Sequence, residues 1–207
     1  MYHCGTNTII TERLILRRFT AEDAPAMFRN WANDPEVTKY LTWPPHASVD
    51  VTENLLHTWV ENYEHPDYYQ WAIVLKELGE PIGSIAVVEI DHACNSMEVG
   101  YCIGRTWWHQ GYTSEALNAV MDELFERTEC SSIDARHDPR NPNSGAVMRK
   151  CGMIQLCVRH GDHNNQGECD AIYYNKLASE HRRERDNSAK GDHFAFADRQ
   201  SVDSTNI

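Results

Sequence analysis

The residues best placed to do chemistry lie where a strand pattern runs into a helix pattern, between Gly100 and Ala116. Glycines interrupt the segment at Gly104 and Gly111, and the apolar residues after Gly111 recur at the spacing of an amphipathic helix. A strand, a glycine turn and a helix start together direct unpaired backbone N–H groups and the positive end of a helix dipole at one spot, which favours a bound phosphate. The alternative is an ordinary turn in which Gly111 only relieves backbone strain, and this segment alone leaves both interpretations open.

Other sequence patterns for phosphate binding or nucleophilic catalysis are missing from the chain. No G-x-G-x-x-G follows a strand and no G-x-x-x-x-G-K-[S/T] occurs, so dinucleotide-binding and P-loop folds are disfavoured. G-x-S-x-G is also absent, and a nucleophilic hydrolase has no support. His160, His163 and Cys169 lie close together in the sequence, but their spacing is irregular, and we expect no metal site.

Length and composition predict one globular domain with a sizeable core, because the chain has 207 residues of which 41% are hydrophobic. Its 31 acidic residues exceed the 19 lysines and arginines, for a formal net charge of −12. Such a charge repels nucleic acid and anionic lipid and attracts cationic ligands, so we expect neither nucleic acid nor a membrane as a partner. The sequence shows no secretory or membrane-spanning pattern, and its seven cysteines form no C-x-x-C pair, which together indicate the reducing cytoplasm.

Hydrophobic periodicity predicts an α/β (α+β) domain. The predicted strands cover residues 8–19, 69–76, 82–90, 97–103, 131–137, 153–160 and 169–177. The predicted helices cover residues 23–33, 48–63, 111–128 and 144–151. The three consecutive strands from residue 69 onward indicate an antiparallel meander. We therefore predict a single domain over residues 8–178, followed by a polar tail over residues 179–207.

Three segments resemble the GNAT superfamily of N-acetyltransferases, and they occur in the order found in that family. Trp108–Ala116 is similar to the loop that binds the pyrophosphate of acyl-CoA, whose pattern is Q/R-x-x-G-x-G/A; Gly111 matches, whereas the initial tryptophan and Thr113 depart from the pattern. Asn141–Met153 is similar to the N-x-x-S…K-x-G-F/M helix of the RimJ/RimL-like branch, which acetylates ribosomal-protein N-termini. Thr11–Arg17 resembles the first strand of the same branch.

The resemblance implies a mixed central sheet of about seven strands with helices on both faces, and a splayed strand pair that forms the CoA cleft. It implies transfer of an acetyl group from acetyl-CoA to a primary amine by direct attack in a ternary complex, without a metal. The residues that it implies for binding acetyl-CoA are Tyr101, Cys102, Ile103, Trp108, His109, Gln110, Gly111, Tyr112, Thr113, Ser114, Asn141 and Ser144. A protein N-terminus and a small cationic amine are alternative acceptors, and a monomer and a homodimer are both left open.

The resemblance also implies the catalytic roles. The proton donor proposed for the branch falls on Ser144, because the tyrosine that much of the family uses is replaced here by Met148; a helix cap is the alternative role for Ser144. We expect Glu98 to be the base, because burial would raise its pKa, although on a pleated strand it could equally face solvent. Glu89 and Asp91 are the reserve candidates, and a chain of water molecules is the alternative to any single base. A backbone N–H between Val99 and Cys102 would bind the oxyanion. A non-catalytic acyl-CoA-binding protein is the rival function, and the missing tyrosine is its main support.

Overall fold

The computed structural model describes residues 1–187, which form one mixed sheet of eight strands with helices packed on both faces. The strands in chain order are β1 Ile9–Ile10, β2 Leu14–Arg17, β3 Gln70–Leu75, β4 Glu80–Asp91, β5 Ser96–Ile103, β6 Ser132–His137, β7 Ile154–Asn164 and β8 Gly167–Leu177. They lie in the order β1-β2-β3-β4-β5-β6-β8-β7, and β5–β6 is the parallel pair in an otherwise antiparallel sheet. The predicted fold class is confirmed, with one strand more than the seven expected.

Two groups of helices cover opposite faces of the sheet. The α-helices are α1 Ala24–Met27, α2 Pro35–Thr38, α3 Val49–Asn62, α4 Tyr112–Arg127 and α5 Pro142–Lys150. Leu117 and Met121 of α4 belong to one buried core, whereas Met27 of α1 and Leu56 of α3 belong to the other. The helix predicted over residues 23–33 is composite, because α1 continues into the π-helical turn Phe28–Ala32. None of the helices in residues 1–187 is long and apolar enough to cross a membrane.

The first predicted strand, over residues 8–19, is in fact the two strands β1 and β2. The chain reverses between them, where the Thr11 N–H donates to the Leu14 carbonyl at 3.0 Å. Leu14 and Leu16 alternate into the core as the pattern predicts. Alternation with a period of two continues across the turn, so it does not reveal that the chain reverses there. The extra strand in the sheet comes from this reversal.

The parallel strands β5 and β6 separate part of the way along their length. They pair through Ser96 with Ser132, Met97 with Ile133 and Glu98 with Asp134. Beyond Glu98, β5 continues to Ile103 without a partner on that side. Alternate backbone N–H and C=O groups of this stretch therefore face an open gap. The predicted splayed strand pair is confirmed.

Residues 178–187 form a further helix, which lies beside α4. Its His181 ring is buried, and the Nε2 atom lies 2.6 Å from Oδ1 of Asp122 on α4. The first part of the predicted tail therefore makes contacts with the domain. The rest of that tail, residues 188–207, lies outside the described residues, and the boundary placed after residue 178 stays a prediction.

Candidate active site

Two cavities border the gap between β5 and β6. One, of about 430 Å³, lies against the start of α4 and against α5, and we call it the helix-side cavity. The other, of about 350 Å³, lies between β4–β6 and the β7–β8 hairpin, and we call it the hairpin-side cavity. The residues that line both cavities are Tyr40, Leu41, Tyr101, Cys102, Asn141 and Ser144. These shared residues mark the junction at which molecules bound in the two cavities would meet.

A turn with exposed backbone N–H groups lines one end of the helix-side cavity. His109 and Gly111 have positive φ angles of 60° and 81°, and Gly111 is the N-cap residue of α4. Positive φ is uncommon for a residue with a side chain, so the conformation at His109 is one that its surroundings impose. The first N–H groups of α4 have no partner within the helix and border the cavity. The turn therefore has the local geometry of an anion site.

Two cationic side chains converge on this turn. A Cβ atom placed on Gly111 would lie 3.5 Å from Lys150 Nζ and 3.6 Å from Arg13 Nη2. Arg13 is held in place, because its Nε atom lies 2.7 Å from Glu115 Oε2 and its guanidinium lies 4.3 Å from the centre of the Tyr112 ring. Two cations beside a helix N-terminus fit the charge of a diphosphate group.

Ten of the twelve residues predicted to bind acetyl-CoA line the helix-side cavity. They are Tyr101, Cys102, Ile103, Trp108, His109, Gly111, Thr113, Ser114, Asn141 and Ser144. The other two have structural contacts instead. The Gln110 side chain donates from Nε2 to the Thr106 carbonyl at 2.9 Å, and the Tyr112 ring supports Arg13. Both help to shape the turn without lining the cavity.

Sequence reasoning assigned no role to three cations of the helix-side cavity. Lys39, Arg140 and Lys150 line it, together with the single carboxylate of Glu36. Lys150 belongs to a segment that resembles the family, but its place beside Gly111 depends on how α5 packs against α4. Spacing along the chain contains no signal for that contact. The excess of positive charge nevertheless distinguishes this cavity from the acidic protein as a whole.

A pair of hydroxyl groups lies at the junction of the two cavities. Asn141 is the N-cap residue of α5, and Ser144 is its third helical residue. Ser144 Oγ donates to the Tyr101 hydroxyl at 3.1 Å, and that hydroxyl donates to the Ser144 backbone carbonyl at 2.9 Å. The Ser144 side chain therefore does not cap the helix. Met148, at the family's tyrosine position, is buried and lines the hairpin-side cavity.

Glu98 faces the hairpin-side cavity and not the solvent. Its side chain is 13% exposed, and Oε1 lies 3.5 Å from Arg136 Nε. Arg136 also contacts Asp162 at 3.1 Å, so one guanidinium serves two carboxylates. Burial raises the pKa of Glu98; Arg136 opposes the shift, and Glu89, which faces Glu98 across β4 and β5, adds to it. The result is a carboxylate that is more basic than an exposed one.

The tip of the β7–β8 hairpin closes over the hairpin-side cavity. The Asn165 backbone N–H donates to the Leu41 carbonyl at 2.9 Å, and its side-chain amide donates to the Thr38 carbonyl at 2.8 Å and to the Trp43 carbonyl. The Trp43 and Trp59 rings line the cavity below. These bonds join two loops that are far apart in sequence into a roof over the cavity.

The histidines and cysteine of the hairpin do not converge on one point. His160 Nδ1 lies 2.6 Å from Asp170 Oδ1, whereas the Asn164 side-chain amide donates to Cys169 Sγ at 3.3 Å. Within residues 1–187, no group of three or more His, Cys, Asp or Glu side chains is arranged to hold a metal ion.

A sheet that opens at one parallel strand pair, with an anion-binding turn at the following helix, is the arrangement expected of an acyl-CoA-dependent transferase. Residues 13–154 match the family model described as acetyltransferase (GNAT) domain. The chain belongs to this family, whose members are acetyl-CoA-dependent N-acetyltransferases. The predicted superfamily is confirmed.

Curated relatives and solved structures agree with this assignment. N-acetyltransferase p20 of Bacillus licheniformis, described as uncharacterized, is 33% identical over 137 residues, which are 66% of this chain and 76% of that protein. YoaA of Bacillus subtilis, also an uncharacterized N-acetyltransferase, is 30% identical over 143 residues, 69% of this chain and 80% of that protein.

Two ribosomal-protein acetyltransferases share the fold. The structure of the ribosomal-protein-S5-alanine acetyltransferase from Vibrio fischeri has a TM-score of 0.73 at 20% identity, covering 83% of this chain and 97% of that one. RimL, the ribosomal L7/L12 alpha-N-protein acetyltransferase in complex with coenzyme A, has a TM-score of 0.75 at 18% identity, covering 84% and 99%. At these identities the likeness shows the fold, and the names agree with the predicted RimJ/RimL-like branch.

Proposed function

We propose that this protein transfers the acetyl group of acetyl-CoA to a primary amine by direct attack, with both substrates bound at once. The observation that supports it is the junction of two cavities of different charge at one splayed strand pair. Acetyl-CoA would occupy the cationic helix-side cavity, and the amine would occupy the hairpin-side cavity, where carboxylates outnumber guanidinium groups. The reacting atoms then meet at the shared residues.

Each part of acetyl-CoA can be assigned to a part of the helix-side cavity. The turn at Trp108–Gly111 and the start of α4 would bind the diphosphate, assisted by Lys150 and Arg13. The free edge of β5 at Tyr101–Ile103 would pair with the amides of the pantetheine arm, as an added strand does. Asn141 lines both cavities and would orient those amides near the thioester.

Glu98 would be the general base. An amine acceptor arrives protonated and must lose a proton before it can attack. The pKa of Glu98 is raised by burial and is held back by Arg136, so the side chain accepts a proton more readily than an exposed carboxylate. Its place in the hairpin-side cavity puts it where the amine would enter.

Stabilisation of the oxyanion and protonation of the leaving thiolate would both take place at the junction of the two cavities. A backbone N–H of Val99–Cys102, left unpaired by the splay, would donate to the oxyanion as the carbonyl becomes tetrahedral. The departing thiolate needs a proton, and the hydrogen-bonded hydroxyl pair of Ser144 and Tyr101 lines both cavities. Ser144 is the member of this pair that the family resemblance implies.

The hairpin-side cavity favours a compact cationic amine as the acceptor. Glu89 and Glu98 face each other across two strands, and Glu98 shares its guanidinium partner with Asp162, so the cavity has an excess of negative charge. The roof at Asn165 limits how much of a large acceptor can enter. A peptide N-terminus is the second candidate, because two proteins with this fold are named as ribosomal-protein acetyltransferases.

We also propose that the protein works in the reducing cytoplasm. All seven cysteines are free thiols, and two of them, Cys130 and Cys151, are buried in the core. Free cysteines in this number fit a compartment that keeps thiols reduced.

The first test is ligand binding followed by turnover. A thermal shift with acetyl-CoA and CoA, but not with NAD or ATP, is expected, since a ligand at about 100 times its Kd adds about 2.7 kcal/mol of stability. Release of free CoA thiol in the presence of amines then measures catalysis. Binding without thiol release from any amine would favour the rival function of a non-catalytic acyl-CoA-binding protein.

The second test concerns Glu98. Replacing it by glutamine should lower kcat about 10²- to 10⁴-fold at neutral pH, the usual contribution of a positioned base, and leave the affinity for CoA unchanged. Glu61→Gln, at an exposed position on α3, is the matched control and should keep wild-type kinetics. Equal activity of the two variants would exclude Glu98 as the base.

The third test separates the two acceptor classes. Small diamines are expected to be acetylated with a higher kcat/KM than peptides that begin with serine or alanine. Asn165→Gly removes the side-chain bonds to Thr38 and Trp43, so peptide acetylation should rise relative to that of diamines. A wild-type preference for peptides would favour the second candidate.

A further inference from the structure

The proton donor for the leaving thiolate must lie at the junction of the two cavities. Of the residues shared by both cavities, Tyr40, Tyr101, Cys102 and Ser144 have a transferable side-chain proton. The Cys102 thiol lies 3.3 Å from Ser84 Oγ, on the sheet face opposite Tyr101, because successive side chains alternate along β5. Tyr40 lies on the loop after α2 and belongs neither to β5 nor to α5. Two candidates remain on the α5 side, Tyr101 and Ser144.

The hydrogen bonds between these two side chains are directional. A carbonyl can only accept, so the Tyr101 hydroxyl must donate its hydrogen to the Ser144 carbonyl at 2.9 Å. The Tyr101 oxygen is then free to accept, and Ser144 Oγ donates to it at 3.1 Å. Neither hydroxyl hydrogen points into a cavity in this arrangement, so one of them must rotate toward the thiolate. If the Tyr101 hydrogen leaves the carbonyl, Ser144 Oγ still donates to the tyrosine oxygen, whereas a rotated Ser144 hydrogen leaves its own oxygen without a donor unless the Tyr101 hydrogen moves too.

This arrangement suits a tyrosine that loses its proton. A phenolate oxygen needs donors directed at it, and Ser144 Oγ supplies one, which lowers the pKa of Tyr101 against the larger upward effect of burial. Burial in turn keeps the phenol protonated until a thiolate forms beside it. Burial makes Tyr101 a weaker acid than an exposed phenol, but a phenol remains a stronger acid than the aliphatic alcohol of Ser144 in the same surroundings, and a general acid must be able to give up its proton.

We propose that Tyr101 is the proton donor to the departing CoA thiolate and that Ser144 is a positioning residue for it; this rests on the proposed acetyl transfer. As the carbon–sulfur bond breaks, its electron pair stays on sulfur. The Tyr101 O–H bond breaks and an S–H bond forms, which leaves a phenolate held by Ser144 Oγ. The attacking nitrogen loses its second proton to solvent as the tetrahedral intermediate collapses, and the phenolate regains a proton from solvent after the products leave. The proton that Glu98 took from the amine also returns to solvent, so one proton is released overall. The tyrosine thus comes from β5 and not from α5, where Met148 has no proton to give.

The test compares Tyr101→Phe with Ser144→Ala, with Tyr2→Phe as the matched control because Tyr2 is 64% exposed. Tyr101→Phe is expected to lower kcat about 10²- to 10⁴-fold with little change in the KM for acetyl-CoA. Ser144→Ala should lower kcat by a smaller factor, and Tyr2→Phe should leave kcat unchanged. The affinity of each variant for CoA, measured by calorimetry, shows whether the fold and the cavity are intact.

The pH dependence of kcat distinguishes a proton donor from a residue with only a structural role, because only a proton donor sets the position of the alkaline limb. Fluorotyrosine at position 101 has a more acidic phenol, so the alkaline limb of the kcat profile should shift to lower pH. Burial holds the limb of the unsubstituted protein at high pH, so Ser144→Ala is combined with fluorotyrosine, where it should move the limb back to higher pH because the phenolate loses a donor.

The possible failures are distinguishable. The assignment of Tyr101 is wrong, and the proposed acetyl transfer is unaffected, if Tyr101→Phe keeps the wild-type kcat. The same conclusion follows if Ser144→Ala loses more activity than Tyr101→Phe and fluorotyrosine does not move the alkaline limb. No thiol release by the wild-type protein with any amine overturns the proposed acetyl transfer, and the role of Tyr101 with it.

Discussion

Lys150→Gln tests whether the cations beside the Gly111 turn bind the diphosphate of CoA. The two side chains that converge there differ in how they are held, because Arg13 is fixed by Glu115 and Lys150 is not part of an ion pair within residues 1–187. Removing Lys150 therefore removes one cation without releasing a buried carboxylate. Glutamine keeps two of the four methylene groups of lysine, and because Lys150 is exposed, packing of α5 should be preserved.

The expected loss follows from the exposure of Lys150. Because the side chain is exposed, its contact with a phosphate is screened by solvent, and about 1 kcal/mol is a reasonable value. That corresponds to about a fivefold increase in the Kd for CoA. Pantetheine, which lacks the diphosphate, should bind equally well to both proteins. The difference should shrink at high salt, because the screening length falls from about 10 Å at 0.1 M to about 3 Å at 1 M.

Calorimetric titration of CoA and pantetheine at two salt concentrations measures these effects. Arg183→Gln is the control, since Arg183 is an exposed cation of the helix over residues 178–187 and does not line the helix-side cavity. Equal weakening of CoA and pantetheine by Lys150→Gln would mean that the variant distorts the cavity. An unchanged Kd for CoA at low salt would refute the placement of the diphosphate at this turn.

Two further predictions follow from the same region and from the turn after β6. Gly111→Glu should weaken CoA binding more than Gly111→Ala does, because both strain a positive φ but only glutamate adds a charge beside Lys150; equal Kd values would contradict this. Asp138→Asn should lower the free energy of unfolding at about pH 7 by about 1 kcal/mol, because it removes the buried carboxylate that accepts from Arg140, whose guanidinium is half-exposed and therefore screened by solvent. Arg140 holds the pKa of Asp138 well below its usual range, so the stabilisation by the Asp138 carboxylate is present above about pH 4 and is lost as the pH falls further. Urea unfolding of the wild type and of Asp138→Asn at several pH values measures this, and a stability difference that persists in acid would contradict the prediction.

Those parts of the fold with a strong local pattern were predicted from the sequence. Helix α4 and the meander of β3–β5 have unbroken periodicity, and the structure has them close to the predicted bounds. The turn within residues 8–19 was missed because a period of two is the same before and after a reversal. The β7–β8 hairpin is longer than predicted, since its outer residues are polar and exposed and show no apolar alternation.

The candidate site was predictable only where its residues are neighbours in sequence. The turn before α4 is one continuous segment, so its glycine and helix start are visible in the chain. Contacts between distant segments leave no such mark. The approach of Lys150 to Gly111, the hydroxyl pair of Tyr101 and Ser144, and the closure by Asn165 all depend on tertiary packing.

The placement of Glu98 and Tyr101 follows from the geometry of a single strand. Side chains three residues apart on a strand point to opposite faces, so the proposed base Glu98 and the proposed donor Tyr101 leave β5 on opposite faces of the sheet, although both reach the hairpin-side cavity at the gap. Pairing of β5 with β6 ends at Glu98, so the gap through which the two substrates meet begins between the two residues. A shift of register by one residue would exchange their faces, which makes the register of β5 part of the catalytic arrangement.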